Sequence, residues 1–289
     1  MNNLRGMLIM TLSMLGFAIE DTFIKFLAGA LSPGVVVSCI AFGGTLVFCA
    51  VAMIQGVPIM TRAFLHPVII VRNVAEVVGA TAFIAALALI PLGVASAILM
   101  AIPLIVTMAA ALFLGETVGI RRWLAILVGF AGVLLIFRPG TEAFDPNALF
   151  ALAAAVALSI RDLCARMIPP GVRQMQLGIW GFAMFFVSGL ILLAIWGGSA
   201  VPDPAQAGIL AVAIVTGVLA YYAINLAMKL GDVAVVSPFR YTRLIFGLIL
   251  GIWIFGERPD LATLAGASLI LASGIYTFMR EQKLAQAQA

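Results

Sequence analysis

The chain has 289 residues, a formal net charge of +4 and 64% hydrophobic residues. A soluble domain is about 45–50% apolar, so this composition and the mean hydropathy of +1.20 exclude one. Because only 10% of the residues are charged, we expect the chain to lie in a lipid bilayer.

Ten apolar stretches follow one another along the chain. Each is close to the ~20 residues that a helix needs to cross a bilayer core about 30 Å thick. Gly, Pro and charged residues, which are typical of turns, separate them. The predicted fold class is therefore all-α integral membrane, with ten transmembrane helices. The predicted spans are 4–27, 32–55, 67–89, 92–114, 118–137, 147–168, 174–196, 206–229, 232–255 and 260–279.

The first and sixth spans carry charged residues in the same order, 141 residues apart. Asp21 corresponds to Asp162, and Lys25 corresponds to Arg166. An acid four residues before a base is the favourable order for an ion pair within a helix. We therefore predict two structural ion pairs, Asp21 with Lys25 and Asp162 with Arg166.

Glu20 and Arg161 are equivalent under the same offset, but their charges have opposite signs. A site that binds a zwitterion needs such an asymmetry between its two halves. Both side chains are therefore candidates for substrate binding.

The third span contains Arg72 and Glu76, one helical turn apart. Arg72 is close enough to the end of the span for its side chain to reach the cytoplasmic interface. Glu76 lies deeper, where an unpaired charged side chain costs about 2.5–3.5 kcal/mol on insertion scales. We expect Glu76 to face the helix bundle, and two roles are open for it: binding a ligand or proton, or pairing with Arg72.

The eighth span contains a polar and aromatic patch formed by Tyr221, Tyr222 and Asn225, which share a face by their spacing. We predict that this patch contributes to substrate binding. The alternative is a belt of tyrosines at the membrane interface.

Two spans contain a proline, which removes a backbone donor and is expected to kink the helix. These are Pro103 in the fourth span and Pro238 in the ninth. Carbonyl groups freed by a kink are tolerated where they line a cavity. Arg240 and Arg243 follow on one face, and a guanidinium is well suited to hold a carboxylate or phosphate. The alternative is that both arginines are satisfied by internal acids, namely Asp162, Glu76 or Glu20.

The offset of 141 residues also relates Ser96 to Ser237 and Gly115-Glu116 to Gly256-Glu257. An offset of five spans is odd, so the second copy enters the membrane from the opposite side. This pattern predicts an inverted-topology repeat, whose halves exchange roles around a central cavity. The predicted domains are a first five-helix repeat, 1–141, and a second, inverted repeat, 142–289.

Basic residues are distributed unequally between the loops, which predicts that both termini are cytoplasmic. In that orientation only Arg138 and Arg258 lie on the opposite side. We therefore expect a multi-pass protein of the cytoplasmic (inner) membrane. The basic residues on the cytoplasmic side are Arg5, Arg62, Arg121, Arg122, Arg173, Lys229, Arg280 and Lys283.

Other function classes find little support. The one histidine, His66, has no serine or cysteine pattern around it that is typical of a catalytic site, and the sequence has no phosphate-binding GxxxxGK[ST] motif. We expect no enzymatic activity, no cofactor, no metal site and no nucleic-acid partner. The expected partners are a small-molecule substrate that bears a carboxylate and the lipid bilayer, and we expect the chain to act as a monomer. A channel is the remaining alternative.

At these residues the chain resembles the drug/metabolite transporter (DMT) superfamily, EamA type. The resemblance covers the whole chain and implies ten helices around a central cavity lined mainly by spans 1, 3, 4, 6, 8 and 9. It depends on Asp21…Lys25, Arg72, Pro103, the two Gly-Glu corners and the block Pro238–Tyr241.

Within that superfamily the chain is similar to amino acid and metabolite exporters. The resemblance implies export of aromatic or neutral amino acids by alternating access, with arginine binding the carboxylate and glutamate binding the amine. The alternative is an uptake carrier for metabolites that resemble adenosyl-methionine or riboflavin, because those carriers have a similar block at 238–241. The predicted substrate-binding residues are Arg240, Arg243, Glu76, Tyr221, Tyr222, Asn225, Glu20 and Arg161.

Overall fold

The computed structural model describes residues 3–115, 119–198, 201–231 and 233–288, without the side chains of 233, 234, 278 and 280–288. Glu116, which belongs to the predicted repeat, lies outside the described residues. The side chains of Arg280 and Lys283, which belong to the predicted loop charges, also lie outside them.

The regular structure of the described residues is helical throughout. The first half contains α1 (Asn3–Ala28), α2 (Pro33–Ile54), α3 (Pro67–Leu89), α4 (Leu92–Leu99), α5 (Ile102–Phe113) and α6 (Ile120–Phe137). The second half contains α7 (Ala148–Ala165), α8 (Gln174–Trp196), α9 (Pro204–Leu230), α10 (Val233–Val236), α11 (Thr242–Phe255) and α12 (Leu261–Gln288). Two short 3₁₀ helices, Arg62–Leu65 and Ser237–Tyr241, precede α3 and α11.

Nine helical segments in the described part of the chain are long and apolar enough to cross a membrane. Two of them are composite: α4 with α5 forms Leu92–Phe113, and the second 3₁₀ helix with α11 forms Ser237–Phe255. A tenth, shorter apolar helix is Leu261–Thr277. The ten-helix membrane fold predicted from the sequence is confirmed.

The two repeats are visible in the helix boundaries. Adding 141 to the bounds of α2 gives 174–195, and α8 spans Gln174–Trp196. Adding 141 to Leu92–Phe113 gives 233–254, and α10 to α11 span Val233–Phe255. Because equivalent helices are five spans apart, they cross the membrane in opposite directions.

The chain contains two compact units, and these do not coincide with 1–141 and 142–289. Each unit combines helices from both repeats. In unit 1, α11 packs against α4 and α12 packs against α6, whereas in unit 2 both α2 and α3 pack against α8. Unit 1 consists of Met1–Thr22, Ile90–Leu149 and Leu219–Ala289; unit 2 consists of Phe23–Leu89 and Phe150–Val218.

Glycine allows equivalent helices to approach closely in both units. In unit 1, a Cβ on Gly132 of α6 would lie 2.6 Å from the carbonyl oxygen of Gly266 on α12. In unit 2, a Cβ on Gly34 of α2 would collide with the backbone of Leu193 on α8. Small residues are the usual means of close helix packing in membranes, where apolar side chains gain little by leaving lipid.

Candidate substrate-binding site

An ion pair joins α1 to α11 in unit 1. Arg243 Nη2 donates to both carboxylate oxygens of Asp21, at 2.9 and 2.7 Å, and Arg243 Nε donates to Oδ2 at 3.1 Å. The guanidinium carbon lies 5.2 Å from the ring centre of Phe17, within cation–π distance. Asp21 is only 4% exposed. This two-pronged geometry is the strong form of an arginine–carboxylate pair.

The 3₁₀ helix Ser237–Tyr241 sets the position of both arginines of the ninth span. Pro238 occupies its first turn, where the missing backbone donor costs nothing. Thr242 Oγ1 donates to the carbonyl oxygen of Phe239 at 2.6 Å, which continues the chain into α11. Gly274 on α12 leaves room for the buried ring of Tyr241, because a Cβ there would collide with it.

The equivalent interruption in the first repeat lies between α4 and α5. The first of these helices ends at Leu99 and the second begins at Ile102, with Pro103 in its first turn. Adding 141 to residues 100–101 gives 241–242, where the 3₁₀ helix meets α11. Both repeats therefore change helix geometry at the same position, although their prolines are not equivalent.

Glu20 and Arg240 of unit 1 are less engaged than their neighbours. Glu20 is 7% exposed and makes no hydrogen bond or ion pair with any residue that the structure describes. The charged groups that act on its carboxylate are Asp21 and Arg243. Arg240 is half-buried and likewise makes no hydrogen bond or ion pair within the described residues.

An apolar cluster surrounds this part of unit 1. Ser13 Oγ of α1 donates to the carbonyl oxygen of Ala220 on α9 at 2.7 Å, which fixes the two helices together. Methionine and phenylalanine dominate the cluster and give it adaptable, polarisable walls. Its buried members are Met10, Met14, Ala227 and Val236, and its partly buried members are Ile9, Phe17, Ile224, Met228, Phe239 and Phe246.

The predicted polar patch of the eighth span is divided. Tyr221 and Asn225 are half-buried, and Asn225 Nδ2 donates to the carbonyl oxygen of Tyr221 at 2.7 Å. Tyr222 is 61% exposed. The structure thus separates Tyr222 from the two more enclosed members of the patch.

Four charged residues of unit 2 form one connected network between α3 and α7. Arg161 Nη1 donates to both oxygens of Glu76, at 3.1 and 3.4 Å, and Arg161 Nε donates to Asp162 at 2.9 Å. Arg72 Nη2 lies 3.9 Å from Glu76. Two acids and two bases therefore neutralise one another within unit 2.

Further contacts hold Arg72 in place. Its guanidinium donates to Asn73 Oδ1 at 3.1 Å and to the carbonyl oxygen of Leu177 on α8 at 3.5 Å. Arg72 is buried, although its place in the sequence predicts that it reaches the membrane interface. Because the backbone of α8 accepts this hydrogen bond, the side chain is directed into the protein.

Lys25 and Arg166, the bases of the two ion pairs predicted within helices, lie in different surroundings. Lys25 Nζ donates to the carbonyl oxygen of Leu87, near the C-terminal end of α3, at 3.0 Å. A cation is favourable at that end of a helix. Arg166 directly follows the last residue of α7 and is exposed. The sequence pattern contains no signal for the long-range Asp21–Arg243 pair, since 222 residues separate the two side chains.

Glu257 has a role that the sequence analysis missed. Its carboxylate accepts hydrogen bonds from the backbone N–H groups of Leu92 and Gly93, at 2.5 and 3.1 Å, at the N-terminus of α4. An acid there satisfies free donors and favours the helix dipole. Gly256 supplies the turn with φ of +64°, and Gly251 leaves the space in which the carboxylate lies. The repeated Gly-Glu corner was the available signal.

A cavity of about 350 Å³ opens beside this cap, within unit 1. Its lining includes Ile90, Arg138 and Arg258 and contains none of the predicted substrate-binding residues. Arg138 and Asp260 form an exposed ion pair at its edge. The hydrogen bond from Arg138 holds the pKa of Asp260 well below its usual range.

Among the described residues, no group of three or more His, Cys, Asp or Glu side chains is arranged to hold a metal ion.

A helical membrane protein with two repeats, interrupted spans and buried charges has the features of a carrier for polar solutes. The sequence model of the EamA-like transporter family matches residues 4–138 and 146–279. The chain therefore belongs to the EamA-like transporter family, as its resemblance to the DMT superfamily predicted.

Several proteins named as transporters are similar to the chain. It is 26% identical to the S-adenosylmethionine uptake transporter of Rickettsia bellii, over 77% of this chain and 75% of that protein. It is 30% identical to the riboflavin transporter of Rhizobium johnstonii, over 73% and 70%. It is 27% identical to the pseudopaline exporter CntI of Pseudomonas aeruginosa, over 93% and 94%. The chain is accordingly a multi-pass membrane transporter.

A solved crystal structure has the same fold. It superposes with a TM-score of 0.61 at 20% sequence identity, over 94% of this chain and 98% of that chain. At this identity the likeness concerns the fold alone.

Proposed function

We propose that the chain is a secondary transporter of small amphiphilic metabolites that bear an amino-acid group, working by alternating access. The first candidate activity is export of aromatic or neutral amino acids. The proposal includes a position in the inner membrane, cytoplasmic termini and action as a monomer, for which the loop charges and the ten-helix architecture are the support.

The main support for the proposal is that charged side chains and an apolar cluster share the same spans in unit 1. Acidic side chains on α1 and basic side chains near the start of α11 lie in spans that also contribute to the apolar cluster, α1 with Phe17 and the ninth span with Phe239 and Phe246. Burial of charged groups in lipid-embedded helices is costly and is retained chiefly for function. A substrate with a charged head and an apolar body matches both surfaces.

Alternating access is supported by the repeat. Equivalent helices that run in opposite directions form two halves that are able to exchange conformations. The interruptions near residues 100–101 and 241–242 supply positions at which a span can bend, because the regular backbone hydrogen bonding changes there.

A second candidate is uptake of S-adenosylmethionine or of a molecule like riboflavin. Relatives with those names support it. S-adenosylmethionine carries the same amino-acid group as a free amino acid, whereas riboflavin does not. Charged residues that bind an amino-acid group would therefore serve S-adenosylmethionine but not riboflavin.

Counterflow into proteoliposomes tests the proposal. Vesicles containing purified protein are loaded with unlabelled phenylalanine, S-adenosylmethionine or riboflavin, and uptake of the same labelled compound is followed against protein-free vesicles. We expect saturable uptake that internal substrate accelerates for phenylalanine or S-adenosylmethionine. Flux that does not saturate and is not accelerated would identify a channel instead, and a response to riboflavin alone would exclude the amino-acid group.

A further inference from the structure

Four charged residues of α1 and the ninth span form one closed pair, Asp21 with Arg243, and leave two less engaged side chains, Glu20 and Arg240. Arg243 directs Nε and Nη2 at Asp21 and stacks over Phe17. A substrate that took Arg243 would leave Asp21 as an unpaired buried charge, which is strongly unfavourable. Arg243 therefore serves to hold α11 against α1.

Glu20 is a second acid on α1, and it does not take part in this ion pair. It is adjacent in the chain to Asp21, it is more than nine-tenths buried, and it has no hydrogen bond or ion pair in the described part of the protein. A buried carboxylate without a partner is costly, and a bound cation relieves that cost.

Arg240 is a second base in the ninth span, and it does not take part in the ion pair either. It lies in the 3₁₀ helix Ser237–Tyr241, three residues and therefore about one helical turn before Arg243, which belongs to α11. It is half-buried and, in the described residues, makes no hydrogen bond or ion pair. The buried neighbour Tyr241 fixes the backbone from which it projects.

Glu20 is next to Asp21 on α1, and Arg240 precedes Arg243 by three residues, so each member of the Asp21–Arg243 pair has a second charged residue beside it in the chain. Phe17 and Phe239, which belong to the apolar cluster, are close to them in the chain. A small ligand with a cation, an anion and an apolar body would satisfy all three surfaces.

We propose that Glu20 and Arg240 bind the ammonium and carboxylate groups of an α-amino-acid headgroup, while Asp21 and Arg243 form a structural brace. This assignment rests on the proposed function and narrows its site. It gives the amine to Glu20 rather than to Glu76, because Arg161 and Arg72 already neutralise Glu76. It gives the carboxylate to Arg240, whose guanidinium can hold both oxygens at once.

The headgroup also balances the site electrically. With both carboxylates ionised, Glu20, Asp21, Arg240 and Arg243 sum to zero charge, and a zwitterion adds none. Binding therefore replaces two uncompensated groups by two charge-assisted pairs without introducing a net charge into the membrane, where an added charge is costly.

The test measures binding to the purified full-length protein in nanodiscs with matched probes. Phenylalanine is compared with phenethylamine, which lacks the carboxylate, and with 3-phenylpropionate, which lacks the amine. S-adenosylmethionine is compared with its decarboxylated form. Loss of one charge-assisted contact is expected to weaken binding about 10- to 100-fold.

Arg240→Gln is expected to weaken phenylalanine binding to that extent while leaving phenethylamine binding unchanged. Glu20→Gln is expected to weaken phenylalanine and to leave 3-phenylpropionate unchanged. Arg258→Gln, at an exposed loop arginine, is the matched control and is expected to bind every probe as the wild type does. An equal loss for phenylalanine and phenethylamine in Arg240→Gln would indicate a merely structural role and overturn the proposal.

The brace is tested separately with Arg243→Lys and with the double variant Asp21→Asn/Arg243→Gln. Both are expected to melt at lower temperature and still to prefer phenylalanine over phenethylamine by the wild-type ratio. If Arg243→Lys loses the preference for phenylalanine over phenethylamine and Arg240→Gln keeps it, then Arg243 binds the substrate carboxylate. That result would contradict the assignment. Wild-type protein that binds riboflavin but none of the amino-acid probes would still be a transporter, and the headgroup site would be refuted.

Discussion

The two units carry similar charged residues but arrange them differently. Asp21 and Asp162 are equivalent under the repeat, yet Asp21 pairs with Arg243 on a distant helix and Asp162 pairs with its neighbour Arg161. Adding 141 to residue 102 gives Arg243, so its counterpart is Ile102; the counterpart of Glu76 is Gly217. Each of these two ion-pair partners is therefore present in only one of the two repeats.

This difference has a consequence for function. The network of unit 2 contains two acids and two bases that neutralise one another. Unit 1 contains one deeply buried pair and, in its described residues, leaves Glu20 and Arg240 without ion-pair partners. We infer that unit 2 is chiefly structural and that unit 1 is where a charged substrate gains most.

The largest effect is expected from breaking the pair of unit 1. Arg243→Met leaves Asp21 as an uncompensated buried acid, and removal of one partner from such a pair costs about 3–5 kcal/mol in the free energy of unfolding. Asp21→Leu should cost less, because Glu20 is close enough to act on Arg243. The measurement is unfolding in mixed micelles with increasing SDS.

The double variant Asp21→Leu/Arg243→Met is the control for that experiment. Replacing both charges by apolar side chains removes the desolvation cost together with the attraction, so the double variant should recover most of the lost stability. A double variant as unstable as Arg243→Met would show that the pair is not a unit.

A smaller effect is expected in unit 2. Arg161→Met leaves Glu76 with Arg72 at 3.9 Å and leaves Asp162 without its neighbour's hydrogen bond. Because the side chains of Arg161 and Asp162 are each 25% exposed, water compensates part of the loss, and we expect about 1–3 kcal/mol. Arg161→Lys keeps the charge but not the forked guanidinium, so its loss of stability should lie between zero and that of Arg161→Met. An effect as large as that of Arg243→Met would remove the contrast between the units.

The cap of α4 extends the comparison to a third carboxylate. Glu257→Ala removes both acceptors from the N–H groups of Leu92 and Gly93, which should cost about 0.5–2 kcal/mol. Gly251→Ala places a Cβ in the space of the same carboxylate and should weaken the protein by another route. If Gly251→Ala leaves the melting temperature unchanged, the cap does not depend on that space.

The smallest effect is expected at the exposed pair Arg138–Asp260, where Asp260 is 53% exposed. Exposed pairs contribute about 0–1 kcal/mol. Because Arg138 lowers the pKa of folded Asp260, this contribution is complete above the unfolded value of about 3.9 and is lost as the pH falls towards the folded value. The stability difference between wild type and Asp260→Asn should therefore be constant from pH 7 to about 4 and shrink below that. A difference that grows on acidification would contradict this sign.

Much of the fold was predictable because the membrane constrains it strongly. Apolar length alone gives the spans, since each backbone donor and acceptor in lipid must be satisfied within a helix or a closed sheet. The boundaries of α8 coincide with the predicted span 174–196, and those of α3 with 67–89. The repeat was predictable for a different reason: a constant offset is visible in the sequence without any knowledge of the contacts.

The charged site was predictable only in part. The residue types and their spans are readable, as at Arg243 and Asp162, because charges inside apolar stretches are conspicuous. Their partners are not, because helical spacing reports only neighbours three or four residues apart. The Glu257 cap was missed for the same reason: its acceptor role depends on the N-terminus of α4, more than 160 residues earlier.

By itself, the sequence determined that this chain spans the membrane ten times, that its halves repeat with opposite direction, and that charges lie within the spans. Only the tertiary structure decided which of those charges meet: Asp21 with Arg243, and Arg161 with Glu76 and Asp162. The physical reason is that hydrophobic burial acts along each helix and is written in local composition, whereas an ion pair depends on how distant helices pack.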